Sequence, residues 1–218
     1  MAHKVTLTID GHHISARPGT SVLEAALLHG VYIPHLCYDK DLKPHGGCRL
    51  CIVEIKGMKG LPAACATAVA ESMSVTTFSP AVNLVRRDTL ELLLAEHPLD
   101  CLTCIKNQQC ELQKVVAQVA GLERTLRRTG KPEDIDDLTP YFSYDRSYCI
   151  LCQKCVRACD EVVKKDIITI INRGSESRVA TFAGEAEKAL ACPDCLECVK
   201  RCPTAALRKT AGSVIFKA

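Results

Sequence analysis

The sequence predicts an α+β protein made of three small domains, over residues 1–79, 80–140 and 141–218. Three features carry that expectation. An alternating strand-turn-strand pattern near the N-terminus runs straight into a capped helix. A long stretch of helical periodicity begins at residue 80. One cysteine run occurs twice in the last third of the chain.

Residues 5–9 alternate apolar and polar side chains, Asp10-Gly11 supplies a turn, and His13-Ile14-Ser15-Ala16 returns, which is a β-hairpin signal. Pro18-Gly19-Thr20-Ser21 leads into the amphipathic residues 22–29, opened by a hydroxyl cap and closed by Gly30. Hairpin followed by helix is how a β-grasp domain begins. Residues 34–47 form a loop rich in His, Pro, Gly and Cys, and strands are expected at 51–55 and 74–78. From Pro80 to Glu96 the apolar spacing is helical, and His97-Pro98 ends it. A second helix is expected from Glu111 to about residue 128. Residues 130–140 resemble a surface linker in which Glu133, Asp134, Asp136 and Asp137 are solvated. Residues 167–171 and 179–182 make a hairpin between the two copies of the cysteine run.

Fifteen cysteines in 218 residues far exceed ordinary usage, and there is no Trp. The chain shows no secretory h-region and no long apolar span, so the expectation is a cytoplasmic protein without direct membrane insertion. In that reducing compartment spaced cysteines act as metal ligands or redox groups, and an odd total also argues against complete disulfide pairing. The formal charge of +3 describes the metal-free chain only: fifteen deprotonated thiols and four dicationic cores would take it to −4. Arg49, Lys154, Arg157, Lys200 and Arg201 beside the cysteine runs then offset anionic clusters, and no nucleic-acid partner is expected.

The strongest signal is the duplicated C-x2-C-x2-C-x3-C run, Cys149-Cys152-Cys155-Cys159 and Cys192-Cys195-Cys198-Cys202, the second followed by Pro203. Three cysteines at this spacing wrap one face of a cubane, and the fourth turns away to the neighbouring cluster. That assigns Cys149, Cys152, Cys155 and Cys202 to one 4Fe-4S cluster, and Cys192, Cys195, Cys198 and Cys159 to another. The rival is structural zinc, which more often uses separated C-x2-C pairs.

Cys37, Cys48, Cys51 and Cys65 form an N-terminal group whose spacing differs from the plant-type pattern. A β-grasp framework with a glycine-rich cysteine loop suits a 2Fe-2S cluster, because glycines let backbone amides approach sulfur; zinc or another cluster is the alternative. Cys101, Cys104 and Cys110 are one ligand short, and His97 precedes the first of them. Four, three, four and four cysteines use all fifteen, so His97 completes a third 4Fe-4S site. The bland alternative is a capping or solvent-exposed histidine. A neutral imidazole in place of a thiolate would raise that cluster's potential. His3, His12, His13, His29, His35 and His45 form no ligand pair, although His35 and His45 lie close enough in sequence to tune the first cluster.

No G-x-G-x-x-G after a strand, Walker A, G-x-S-x-G or H-E-x-x-H occurs, so the chain is expected to conduct electrons while another subunit performs the chemistry. A zinc-rich interaction or nucleic-acid module is a weaker alternative that rests only on cysteines and positive charge.

The order of motifs resembles the iron-sulfur module of the complex I large iron-sulfur subunit N-terminal region, the small diaphorase subunit of NAD-reducing hydrogenases and the FeFe-hydrogenase N-terminal region. The matching residues are Pro34-His35-Leu36-Cys37, Gly47-Cys48-Arg49-Leu50-Cys51-Ile52-Val53-Glu54 and Cys65, then His97-Pro98-Leu99-Asp100-Cys101-Leu102-Thr103-Cys104 with Cys110. The likeness continues from Cys149 to Glu161 and from Cys202 to Leu207. It implies a β-grasp 2Fe-2S ferredoxin domain, a small helical 4Fe-4S domain with one-His/three-Cys ligation, and a two-cluster ferredoxin-like domain. It also implies a flavoprotein partner that oxidises or reduces NAD(P)H and a catalytic subunit of hydrogenase, formate dehydrogenase or bifurcating type. The complex I module keeps one cluster in its third domain, whereas Cys159 and the whole second run are present here. That departure, with no catalytic domain before residue 218, favours a separate subunit of the small diaphorase type. The alternative is a stand-alone polyferredoxin diffusing between redox enzymes.

Overall fold

The computed structural model describes residues 4–119, 121–122, 126, 129–130, 135–182, 184, 192 and 195–210. Two compact units emerge, one of Met1–Tyr38, Pro44–Glu91 and Val115–Glu123, the other of Asp39–Lys43, Leu92–Lys114 and Arg124–Ala218.

In the first unit, β1 (Val5–Ile9) and β2 (His12–Ala16) pair antiparallel with Leu7 opposite Ile14. Asp10 and Gly11 both adopt positive φ, 50° and 80°, which gives the two-residue turn the twist its flanking strands need. The Asp10 carboxylate accepts from the Thr77 amide at 2.8 Å and the Thr77 hydroxyl at 2.5 Å, tying the hairpin tip to the strand that ends nearby. That strand, β4 (Met73–Thr76), runs parallel to β1, and β3 (Glu54–Ile55) pairs antiparallel with β4, for a sheet order β2-β1-β4-β3.

Helix α1 (Val22–Leu28) starts at Ser21, whose hydroxyl accepts from the Glu24 amide while the Glu24 carboxylate receives the Ser21 amide. Such a reciprocal cap is worth about 1 kcal/mol. Val22, Leu23, Ala25 and Ala26 are buried in one cluster with Leu7, Ile9, Ile14 and Val75 of the sheet. This is the β-grasp arrangement.

The expected strand at 51–55 shortens to Glu54–Ile55. Residues 51–53 use their hydrogen bonds locally: Val53 donates to Pro62 O (3.0 Å), Cys51 O accepts from Ala64 (2.8 Å), and Ile52 bridges Ala63. Helix α2 (Pro80–Glu96) matches the expected span. Ser79 Oγ accepts from Val82, and Pro80 occupies a first-turn position whose amide would have no partner in any case. Val82, Arg86, Leu90 and Leu94 recur at i+4 and are buried.

In the second unit, β5 (Ile135–Thr139), β6 (Phe142–Asp145) and β9 (Leu207–Lys209) form an antiparallel sheet in the order β5-β6-β9. The second half of the expected linker is therefore a strand, with Leu138 and Thr139 buried. Thr139 Oγ accepts from the Tyr141 and Phe142 amides, closing the turn, and Asp136 reaches Arg178 at 3.7 Å. Residues 131–134, with Glu133 and Asp134, lie outside the described residues. Helix α3 (Glu111–Gln118) is shorter than expected, and most of the remainder to residue 128 lies outside the described residues as well.

The expected hairpin is present as β7 (Ile168–Ile171) paired with β8 (Arg178–Thr181). Two single-turn helices, α4 (Lys154–Arg157) and α5 (Glu197–Lys200), complete the unit, and a π-turn over Ala158–Val162 follows α4. Phe142, Tyr144, Ile167, Ile168, Val179 and Leu207 share one core with Cys149, Cys155, Cys159, Cys198 and Cys202. Among the described residues no helix is long and apolar enough to cross a membrane.

Candidate metal centres

None of the fifteen cysteines is in a disulfide, and the structure gathers them into four groups. In the first unit Cys37, Cys51 and Cys65 are fully buried and Cys48 is partly so. Local backbone geometry brings them together. Gly46 and Arg49 take positive φ, 67° and 54°, so the chain doubles back around Cys48, while a 3₁₀ turn over Ala64–Ala66 carries Cys65. The Cys48 amide donates to Cys37 Sγ at 3.4 Å, and the amides of Leu50 and Gly46 point at Cys48 and Cys65.

The four thiols interact as two pairs. Cys48 receives the Cys37 thiol hydrogen, which lowers its pKa to about 5, and Cys65 receives that of Cys51, which lowers its pKa to about 7. Cys37 and Cys51, as the donors and as buried groups, are shifted upward. Four buried or half-buried thiols in one group could hold a 2Fe-2S cluster, which would supply one-electron exchange there. His35 Nδ1 lies 2.7 Å from Ile33 O and its ring meets Tyr32 and Tyr38, so its ordered contacts are away from sulfur.

In the second unit His97, Cys101, Cys104 and Cys110 line one small cavity. The loop between them is a chain of tight turns: Cys104 N donates to Asp100 O, Asn107 N to Cys104 O and Gln109 N to Lys106 O. Gln113 of α3 pins it, donating to Asn107 and accepting from the Gln108 amide, both at 3.0 Å. His97 Nδ1 lies 2.7 Å from Pro98 O. A carbonyl only accepts, so Nδ1 carries the hydrogen and the neutral ring keeps its lone pair on Nε2, a buried atom. Tyr148 meets the ring edge-on at 5.6 Å and hydrogen-bonds Asp100.

The duplicated run builds two further small cavities. Cys149, Cys152, Cys155 and Cys202 line one, and Cys159, Cys192, Cys195 and Cys198 line the other. The crossing follows from the short helices. Cys155 sits on α4 facing one cavity, and Cys159, four residues on in the π-turn, faces the other. Cys198 on α5 and Cys202 beyond it repeat the pattern in reverse. Both helices are entered through left-handed residues, Gln153 (φ 61°) and Leu196 (φ 48°). Amides again face sulfur: Leu151 N to Cys149 Sγ at 3.4 Å and Ile167 N to Cys159 Sγ at 3.3 Å. Burial pushes the Cys152 thiol up to about 12 and Cys155 well above its ordinary range, where neighbouring thiols add to the effect.

The donor sets fit multinuclear clusters. Two connections join neighbouring sites in this unit. The amide of Glu111, next to Cys110, donates to Pro203 O, next to Cys202, at 3.0 Å. The Glu111 carboxylate pairs at 2.7 Å with Lys154, which is buried between Cys152 and Cys155. Lys154 is expected from the sequence as a counter-charge, but neither Glu111 nor Arg86 is; Arg86 is a buried cation whose one visible signal is its in-phase position on the apolar stripe of α2.

Residues 2–80 match the family described as a 2Fe-2S iron-sulfur cluster binding domain, and residues 86–121 match the NADH-ubiquinone oxidoreductase-G iron-sulfur binding region. An NADH-quinone oxidoreductase subunit of Rhizobium meliloti is 39% identical over 206 residues, covering 93% of this chain and 24% of that protein. The NADP-reducing hydrogenase subunit HndD of Solidesulfovibrio fructosivorans is 36% identical over 210 residues, covering 93% of this chain and 36% of its own length. The chain thus spans about a quarter to a third of these two relatives. Against a chain in the crystal structure of an NAD+-reducing [NiFe]-hydrogenase in the H2-reduced state, the TM-score is 0.84 at 34% identity, covering 98% of this chain and 90% of that one. With the mixed α/β fold and four cysteine groups, these likenesses show that the chain belongs to the family of iron-sulfur modules found in the N-terminal region of the complex I large iron-sulfur subunit and in NAD(P)-linked hydrogenases.

Proposed function

We propose that this chain is a cytoplasmic electron-relay subunit holding one 2Fe-2S and three 4Fe-4S clusters, placed between a flavoprotein subunit that oxidises or reduces NAD(P)H and a catalytic subunit of hydrogenase, formate dehydrogenase or bifurcating type. The 2Fe-2S ligands are Cys37, Cys48, Cys51 and Cys65. The 4Fe-4S ligands are His97, Cys101, Cys104 and Cys110 at one site, Cys149, Cys152, Cys155 and Cys202 at the second, and Cys159, Cys192, Cys195 and Cys198 at the third. The observation that carries this reading is that three small cavities are each lined by one complete set of four donors. The remaining four cysteines form a group of their own, so no cysteine is left over.

When bound, iron-sulfur clusters supply one-electron exchange at potentials set by charge, hydrogen bonding and solvent exposure. The protein's own residues provide those settings. Amides of Cys48, Leu151 and Ile167 direct N–H dipoles at sulfur and stabilise thiolate charge. Pro98 O holds His97 in the tautomer whose Nε2 can ligate. Apolar walls of Phe142, Ile167, Ile168 and Leu207 exclude water from the paired sites. The hydrogen bond from Glu111 to Pro203 gives a short covalent and hydrogen-bonded route between two ligand backbones. The likeness to an NAD+-reducing hydrogenase supports the proposed partners, as does the name of the NADP-reducing hydrogenase relative.

Three outcomes follow. Isolated from its native host under anaerobic, low-salt conditions, the chain will co-elute with a flavoprotein; elution alone would remove the main support for a relay subunit. Cys149→Ser and Cys202→Ser will abolish the same 4Fe-4S EPR component and Cys159→Ser a different one, whereas a common loss in all three would contradict crossed ligation. His97→Cys will retain its cluster and lower the potential by on the order of 100 mV, because an anionic thiolate replaces a neutral donor; an unchanged potential in a redox titration would argue against His97 as ligand.

A further inference from the structure

Arg86 is 1% exposed and heads the set of large, fully buried side chains. Its guanidinium spends its donors on three carbonyls of the first unit: Nε on Leu50 O (2.8 Å), Nη2 on Ile52 O (2.7 Å) and Nη1 on Thr77 O (2.7 Å). Leu50 and Ile52 flank Cys51, so two of the three bonds grip the backbone on either side of a proposed ligand. The Phe78 ring covers the guanidinium at 5.2 Å. Carbonyls take three of its five N–H donors but carry no formal charge, so the anions acting on this buried ion, Asp10 among them, do so from a distance. Burial lowers the Arg86 pKa to about 10, opposed by its electrostatic interaction with Cys51 and Asp10, so the group stays cationic at neutral pH.

We propose that Arg86 is a positioning residue of the N-terminal cluster site, fastening the Cys48–Cys51 turn through the Leu50 and Ile52 carbonyls and raising the cluster's reduction potential by its buried positive charge. The proposal rests on the 2Fe-2S reading of that site. Reduction adds one negative charge to the site. A fixed cation in a low-dielectric wall beside Cys51 favours that state, and water cannot screen it.

The test is an EPR-monitored redox titration of the reconstituted full chain, following the 2Fe-2S signal. R86Q removes the charge, and R86K keeps it while losing the three-way fork. F78E places a carboxylate over the guanidinium without touching its carbonyl bonds, and F78Q is the uncharged comparison. Relative to the unaltered chain, R86Q should make reduction at least tenfold less favourable, about 59 mV for one electron. R86K should shift it less than R86Q, and F78E should lie below F78Q by a comparable amount. Equal potentials for F78E and F78Q with the cluster intact would overturn the electrostatic role, even if R86Q fails to assemble its cluster. An R86Q potential equal to that of the unaltered chain would overturn it as well. Absence of a 2Fe-2S signal from the unaltered chain would overturn the site reading and this proposal together, which separates that failure from a failure of Arg86 alone.

Discussion

Thiol groups crowded into buried space repel one another once ionised, and burial makes ionisation itself unfavourable. Cys155 shows both effects: desolvation drives its pKa up first, and Cys152, Cys149, Cys202 and Cys198 then add to the shift. A fold that assembles such groups calls for cations to bind them, and the proposed clusters would supply iron for that purpose. The backbone bears a related cost. Arg49, Gln108, Leu151, Gln153 and Leu196 all sit at positive φ within the cysteine loops, although none is glycine. Residues in that region are strained by roughly 1–2 kcal/mol each. Metal–thiolate bonds at the proposed sites would offset repulsion and strain together, which would couple folding of these loops to loading.

The same constraint accounts for the arrangement of the second unit. Helices α4 and α5 are each one turn long, enough to carry one ligand inward and leave the next, four residues later, facing the other cavity. The small sheet β5-β6-β9 and the hairpin β7-β8 add the apolar walls. Lys154 and Glu111 form an ion pair that is buried on the lysine side, next to Cys155 in the chain. In the first unit the corresponding cation is Arg86, whose partners are carbonyls. Each unit thus places a buried cation beside a cysteine loop, by different means.

Much of this was legible in the sequence because cluster chemistry imposes rigid spacing. The duplicated run suggests two crossed sets, and the residues of each set line one small cavity; the cysteine shortfall at Cys101, Cys104 and Cys110 directs attention to His97, which lines a third cavity with them. Hairpin, capped helix and α2 were equally clear, since Asp10-Gly11, Ser21 and Ser79-Pro80 are strong local signals. Other elements were hidden by residues with a second task. Asp136 and Asp137 disguised β5 as a solvated linker, although alternation buries Leu138 and the Thr139 hydroxyl closes the following turn. Ile52 and Val53 look like strand residues, yet Val53 donates to Pro62 O in the cluster loop and Ile52 O accepts from Arg86. Arg86 reads as a surface charge because its three carbonyl partners are distant in sequence and backbone acceptors leave no mark on side-chain patterning.

The proposed relay depends on sixteen donors grouped in fours around iron and sulfide. Anaerobic reconstitution followed by parallel iron and acid-labile sulfide determination tests it most directly. About fourteen of each per chain is the predicted result. Four metal ions without sulfide, or iron far below fourteen after exhaustive loading, would contradict it.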